Sequence, residues 1–203
     1  MHFLNNMKFV LASSNKNKIR ELKEILSSVL GDDVEIITIK DAGITDEIIE
    51  DGSTFAENAL IKARAAAKSG MIGIGDDSGL TVNALDGAPG IFSARYAGEH
   101  GNDALNNQKL LSDMQNKDDR SASFVCCIAC VFPDGRESIV THGYIHGEIL
   151  CEARGTKGFG YDPLFYVKEL EMTLAEAESE QKNLISHRAN ALKAFAEEFK
   201  KRI

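Results

Sequence analysis

The stretch Lys8–Ile39, KFVLASSNKNKIRELKEILSSVLGDDVEIITI, changes its hydrophobic pattern twice. Lys8 to Ala12 is a short apolar run, which reads as a strand, and it ends in a polar loop, Ser13 to Asn17. Beyond the loop, Ile19, Leu22, Ile25, Leu26 and Val29 recur at helical spacing, with Gly31 as a suitable stop. Val34 to Ile39 alternates and is β-branched, so a second strand is expected there. A strand, a helix and a strand in this order point to an α/β fold.

The same reading extends along the chain. Lys40 to Gly52 is a loop rich in acidic residues, and Thr54-Phe55-Ala56-Glu57 has the pattern of a capping box. An alanine-rich helix is expected from there to about Ser69, stopped by Gly70. Met71 to Gly75 reads as a strand that ends at Asp76-Asp77-Ser78-Gly79, with Leu80 to Leu85 as a further segment pairing beside it. Asp86 to Gly98 is punctuated by Gly and Pro and reads as loop. A helix is expected over Asp103 to Met114. Ser121 to Phe132 and Glu137 to Leu150 flank the turn Pro133-Asp134-Gly135-Arg136, which predicts a long hairpin. Cys151 to Asp162 is a glycine-rich loop and Pro163 to Val167 a short strand. The chain ends in a helix with Ser186 as its N-cap and Leu192, Phe195, Ala196 and Phe199 on one face. A mixed sheet flanked by helices accommodates this order. No repeat and no linker interrupts it, so one domain is expected over 1–203, and any two lobes are interwoven.

Bulk composition excludes several classes. The 203 residues are 43% hydrophobic and 27% charged, an ordinary globular balance with enough chain for a sizeable core. No run approaches the roughly 20 apolar residues of a membrane helix, and Met1 to Asn6 lacks the form of a signal peptide. A cytoplasmic protein is the expectation, with residues 1–6 an extension of no assigned role. A net charge of -8 disfavours a nucleic-acid polymer, though a small anion in a local basic pocket remains compatible. Cys127 and Cys130 form a C-x-x-C, but residues three apart on a strand face opposite ways, so buried thiols are expected and a shared metal is not.

Five groups of residues carry candidate chemistry, each with a plainer alternative. Ser13-Ser14-Asn15-Lys16-Asn17-Lys18 precedes a helix, where free N–H groups suit a phosphate, or it is an ordinary polar cap. Asp76 and Asp77 repel one another unless a divalent cation such as magnesium intervenes, or else they form a solvated turn. Glu47, Glu50 and Asp51 complete a metal site or sit in water, and Lys62 faces a phosphate or the solvent. In Gly155 to Pro163, glycines admit a ligand closely while Phe159 or Tyr161 stacks on a base and Asp162 bonds to it, or the segment is a flexible surface turn. Ser186-His187-Arg188 gathers donors at a helix start, suited to an exocyclic carbonyl or simply capping the helix.

Taken in order, the motifs LASSNKNKIREL, TFAENALIKA, DDSGL, GAPGIFSARYAG, GFGYDPLF and SHRANAL resemble the inosine triphosphate pyrophosphatase family from Lys8 to about Lys201. The resemblance implies an elongated mixed sheet flanked by helices, in two lobes with the active cleft between them, and a homodimer. It implies magnesium-dependent hydrolysis of ITP, dITP and XTP to a monophosphate and pyrophosphate. Under it, Ser13, Asn15 and Lys18 hold the triphosphate, and Ser78 and Lys62 contact the phosphates. Glu50 and Asp77 bind magnesium with Asp76 alongside, and Asp77 takes a proton from the attacking water. Phe159, Gly160, Tyr161 and Asp162 frame the base, with Phe159 stacking, while Lys182, His187 and Arg188 close over the purine. One departure is the opening loop, where the family often has Thr-Gly-Asn and this chain has Ser13-Ser14-Asn15.

Overall fold

A computed structural model describes residues 7–31 and 34–202. The expected N-terminal extension, residues 1–6, lies outside the described residues. The first strand, β1 (Met7–Leu11), runs into the helix α1 (Lys16–Leu30), and β2 (Val34–Thr38) follows. Asn15 caps α1 by accepting from the backbone N–H groups of Asn17 and Lys18, which meets two of the donors that a helix start leaves open. Gly31 closes the helix at φ 96°.

The next helix, α2 (Phe55–Ala67), begins at Thr54, whose hydroxyl accepts from the Glu57 N–H. Glu57 reaches back one residue further than a capping box requires, bonding the N–H and the hydroxyl of Ser53 at 2.7 Å each. Then comes β3 (Ile72–Val82), a single strand where two shorter segments were expected. Asp76 and Asp77 thus lie inside a strand and not at its end. Their polarity reads as a turn from local composition, but cations from distant helices neutralise them within the sheet.

The remainder comprises α3 (Asp103–Asp113), β4 (Ser121–Val131), β5 (Ile139–Ile149), β6 (Phe165–Val167), β7 (Met172–Thr173), α4 (Ser179–Ile185) and α5 (His187–Lys200). Segment 90–95 is a 3-10 helix within the expected loop. Ser186 stands between α4 and α5 in extended conformation. The seven strands form one mixed sheet in the order β2-β1-β3-β4-β5-β6-β7. Strand β1 pairs parallel to β2 and β3, whereas β6 pairs antiparallel to β5 and β7. The α/β class and mixed sheet match the expectation. Among the described residues no helix is long and apolar enough to cross a membrane.

Two compact units make up the chain, and each is built from separated segments. The first comprises 1–77, 126–143 and 188–203. On one face of its strands, Phe9, Leu11, Ile74, Cys126, Ile128 and Cys130 pack with Leu22 and Leu26 of α1 and Leu192, Phe195 and Phe199 of α5. On the other face, Ala59 and Ala63 of α2 pack with Cys127 and Ala129. Cys127 and Cys130 therefore face opposite ways, as the strand period requires. The alanines of α2 allow close approach only because β3 offers glycine beneath them. A Cβ on Gly73 would lie 2.1 Å from the Ala63 carbonyl oxygen, and one on Gly75 would lie 2.0 Å from that of Ala59. The second unit comprises 78–125 and 144–187, with its own core around Leu80, Val82, Leu110, Phe124, Leu164 and Phe165.

Candidate functional site

The strand period decides how the acidic residues of the first unit are used. Successive β3 side chains point to opposite faces. Gly73, Gly75 and Asp77 face α2, and Ile74 and Asp76 face the core shared by α1 and α5.

On the α2 face, the Lys62 ammonium donates to Asp77 Oδ1 and to Glu50 Oε2, each at 2.7 Å. Lys62 and Asp77 are both buried. Burial alone would lower the Lys62 pKa, but the carboxylates of Asp77 and Glu50 outweigh it, so the ammonium is held more firmly than usual. Burial raises the Asp77 carboxyl above its ordinary value, and Lys62 offsets only part of that rise. Asp77 Oδ2 is buried and has no hydrogen-bond partner among the described residues. An orphaned, anionic oxygen in a dry setting is costly unless something positive or a proton donor meets it.

On the opposite face, Arg188 is 1% exposed and binds two carboxylates. It donates through Nε to Asp76 Oδ2 at 2.8 Å, through Nη2 to Asp76 Oδ1 at 3.4 Å, and through Nη1 to Glu21 Oε2 at 2.5 Å. Lys18 Nζ approaches Asp76 Oδ1 at 3.0 Å, and the Cys126 thiol donates to Asp76 Oδ2 at 3.2 Å. Burial alone would raise Asp76, but Arg188 and Lys18 overcome it and hold the carboxyl well below the usual carboxylate range. The same burial, with Asp76 adjacent, pushes the Cys126 thiol well up.

Glu50, Asp76 and Asp77 therefore do not converge on one point. Among the described residues no group of three or more His, Cys, Asp or Glu side chains converges to hold a metal ion. What fits a hard cation is the pair Glu50 and Asp77, with the unpartnered Asp77 Oδ2 as the available donor. Magnesium takes few carboxylates when substrate phosphates and water complete its shell, so this pair suits it. Asp76 belongs to a different group, fixed by Arg188 and Lys18. In the opening loop, Asn15 Oδ1 caps α1, Ser13 Oγ accepts from the Asn15 N–H at 3.3 Å, and Ser14 and Lys16 are exposed.

The second unit holds the other candidates. Asp162, 3% exposed, accepts at Oδ2 from the Phe159 N–H at 3.0 Å and from Lys182 Nζ at 2.7 Å. A Cβ on Gly158 would come within 2.1 Å of that oxygen, so only glycine leaves room for the carboxylate. Lys182 Nζ also sits 4.7 Å from the Phe159 ring centroid, a cation–π distance. Phe159 is half-buried. Tyr161 is not placed to stack: it is 4% exposed within the core, and its hydroxyl donates to the Ser93 carbonyl at 2.8 Å. His187 is buried and stacks on Phe124, with centroids 4.9 Å apart and planes at 14°. Ser78 is half-buried on β3.

Four participants were not visible in the sequence. Glu21 reads as a solvent charge on an amphipathic helix. Asp103 and Asn107 read as ordinary residues of α3, although both bond Gly160. Ser93, in the GAPGIFSARYAG segment, anchors Tyr161 and accepts from the Leu80 N–H.

The chain is similar to known proteins over nearly its whole length. The sequence profile of the Ham1 family matches residues 9–198. A dITP/XTP pyrophosphatase of Clostridium perfringens is 48% identical over 202 residues, covering 95% of this chain and 97% of its own. A dITP/XTP pyrophosphatase of Bacillus licheniformis is 50% identical over 190 residues, covering 92% and 95%. The solved structure of the Staphylococcus aureus Ham1 protein superposes with a TM-score of 0.86 at 44% identity, covering 97% of this chain and all of that one. A HAM1 protein from Coxiella burnetii gives 0.86 at 43%, covering 96% and 99%. With a profile match over nearly its whole length and relatives at close to half identity, the chain belongs to the Ham1 family.

Proposed function

We propose that this protein hydrolyses non-standard purine nucleoside triphosphates (dITP, XTP and ITP) to a nucleoside monophosphate and pyrophosphate. The observation that carries the reading is the triad in which buried Lys62 bridges the exposed Glu50 and the buried Asp77, while Asp77 Oδ2 has no hydrogen-bond partner among the described residues. A buried carboxylate whose pKa is raised, with one oxygen held and the other open, is suited to orient a water and take its proton. The names of the relatives support the substrate class.

In this reading Glu50 and Asp77 hold magnesium, which would neutralise phosphate oxygens and the departing pyrophosphate. Asp77 accepts the proton of the water that attacks the α-phosphorus, and the bond to the bridging oxygen breaks. Lys62 keeps Asp77 and Glu50 oriented and presents positive charge to the phosphates. Ser13, Ser14, Asn15, Lys16, Asn17, Lys18 and Ser78 bind the triphosphate, Lys18 from a position set by Asp76. Phe159 stacks on the purine, Gly160 and Asp162 shape its edge, Tyr161 and Lys182 hold that loop in place, and Lys182 and His187 close over the purine. Arg188 acts through Asp76 and Glu21. Donors near the base favour the 6-oxo purines over adenine, because a mismatch leaves buried polar groups unpaired.

The chain is further proposed to work as one two-lobed domain over 1–203, as a homodimer, in the cytoplasm, with no nucleic-acid polymer or membrane as partner. Incubation with magnesium and equal ITP, XTP, GTP, ATP, dTTP and UTP, with products separated by ion exchange, tests the reading. IMP or XMP with pyrophosphate, and ATP nearly untouched, is the expected result. Pyrimidine cleavage would move the chain to a pyrimidine-specific activity. Diphosphate with orthophosphate would overturn the bond assignment, and tight binding without turnover would indicate a nucleotide sensor.

A further inference from the structure

Helix α3 grips a single residue of the Phe159–Asp162 loop. Asp103 and Asn107 lie four residues apart, one above the other on the same helical face. Asp103 Oδ2 accepts from the Gly160 N–H at 2.7 Å, and Asn107 Nδ2 donates to the Gly160 carbonyl at 2.8 Å. Both backbone polar groups of one loop glycine are thus held by side chains of one helix. The Gly160 carbonyl dictates which way the Asn107 amide turns, because the reverse orientation would set two acceptors against each other. Asn107 Oδ1 is left buried without a hydrogen-bond partner among the described residues, so the amide is not seated there to satisfy itself.

The helix is itself fixed. Asn102 caps it, accepting from the Leu105 N–H at 3.1 Å. Asn106 accepts from the Ala97 N–H at 2.8 Å, and Leu110 is fully buried. Gly160 lies between Phe159, whose ring carries Lys182 on one face, and Tyr161, which is anchored to Ser93. With φ at 61°, its peptide planes set the direction in which Phe159 leaves the loop.

We infer that Asp103 and Asn107 are positioning residues for base recognition: by clamping Gly160 they fix the plane of Phe159 against the purine. The inference rests on the reading that Phe159 stacks on the base. It separates recognition of the base from recognition of the triphosphate, since the clamp bonds only the Phe159–Asp162 loop.

The test compares Asp103→Ala, Asn107→Asp, Asp103→Asn and Phe159→Ala in the full chain. For each, KM and kcat are measured for ITP and ATP, together with the inhibition constant of inorganic tripolyphosphate. Asp103→Ala and Asn107→Asp are expected to raise KM for ITP about tenfold, the loss of one to two hydrogen bonds of ordinary strength, and to narrow the preference for ITP over ATP. Asp103→Asn keeps an acceptor and should stay within about twofold of the parent, since the hydrogen bond it makes is preserved. Tripolyphosphate, which has no base, should inhibit all four equally. A parallel rise in its inhibition constant, or an ITP KM unchanged in both clamp variants while Phe159→Ala raises it, would overturn the inference. An unchanged KM in Phe159→Ala would overturn the stacking reading beneath it.

Discussion

Asp76 and Asp77 are adjacent in sequence but bind different cations on opposite faces of β3: Arg188 and Lys18 for the first, Lys62 for the second. A strand makes this separation unavoidable. The mutual repulsion of neighbouring carboxylates is relieved by geometry and by nearby cations, with Lys18 and Lys62 acting on both. The consequence is a division of labour. Asp77 keeps an open oxygen and a raised pKa, whereas Asp76 is saturated and strongly anionic.

Asp77→Asn removes the proton acceptor while keeping shape and one hydrogen bond to Lys62. Turnover of ITP is expected to fall by about 10³-fold or more, at the upper part of the range for general-base catalysis. The thermal midpoint should change little, because an amide still fills the site. Pyrophosphate release and a melting curve on the same preparation check both halves. Full retained activity would remove Asp77 from the chemistry.

The group around Arg188 makes a different prediction. Lys18 and Arg188 face Asp76 and Glu21, and these four charges balance one another. Glu21→Leu leaves a buried surplus of positive charge and should cost about 3–5 kcal/mol in urea unfolding, the usual penalty for breaking a buried pair from one side. Arg188→Met should cost a similar amount. The double variant restores balance, so its loss should fall short of the sum by about 1–3 kcal/mol. Strict additivity would show that Glu21 and Arg188 are not energetically coupled.

These networks explain what was legible in the sequence. The opening strand–helix–strand, the hairpin and the last helix carry strong periodicity, and each formed close to its expected bounds. The continuity of β3 was hidden because Asp76-Asp77-Ser78-Gly79 has turn composition. Its charges are stabilised in a strand by Lys18, Lys62 and Arg188, partners supplied by three helices. Glu21 and Arg188 are 167 residues apart, and no local pattern links them. The short elements α4 and β7 hold too few residues to show a period. Asn107 was missed because its role is to bond a backbone, and a backbone leaves no mark in composition.

Gly75 lies where α2 crosses β3, and its missing side chain sets how near Lys62 comes to Asp77. Gly75→Ala places a Cβ about where the Ala59 carbonyl oxygen now sits, 2.0 Å away, so the helix must retreat. Overpacking of this kind costs about 1–3 kcal/mol. The Lys62 contacts of 2.7 Å would lengthen, so kcat for ITP should fall by more than the loss of stability explains at assay temperature. Gly31→Ala provides the comparison, since φ of 96° strains it but nothing lies within 4 Å of its Cβ. Equal effects of both substitutions on kcat would sever the link between helix approach and catalysis.

The cysteines give a prediction that bears on the C-x-x-C reading. Burial pushes the thiols of Cys127 and Cys130 to about 12, and Cys126 is raised well above its ordinary value. A raised thiol pKa keeps the group protonated at neutral and mildly alkaline pH, and the thiolate is the reactive form. Cys151 alone of the four is exposed. A thiol-specific chromogenic reagent at pH 8 should therefore titrate one equivalent in the native protein and four after denaturation, with Cys151→Ser abolishing the native signal. Two further rapid equivalents in the native state would place Cys127 and Cys130 within reach of solvent. That result would contradict strand β4 as a wall between two packed faces.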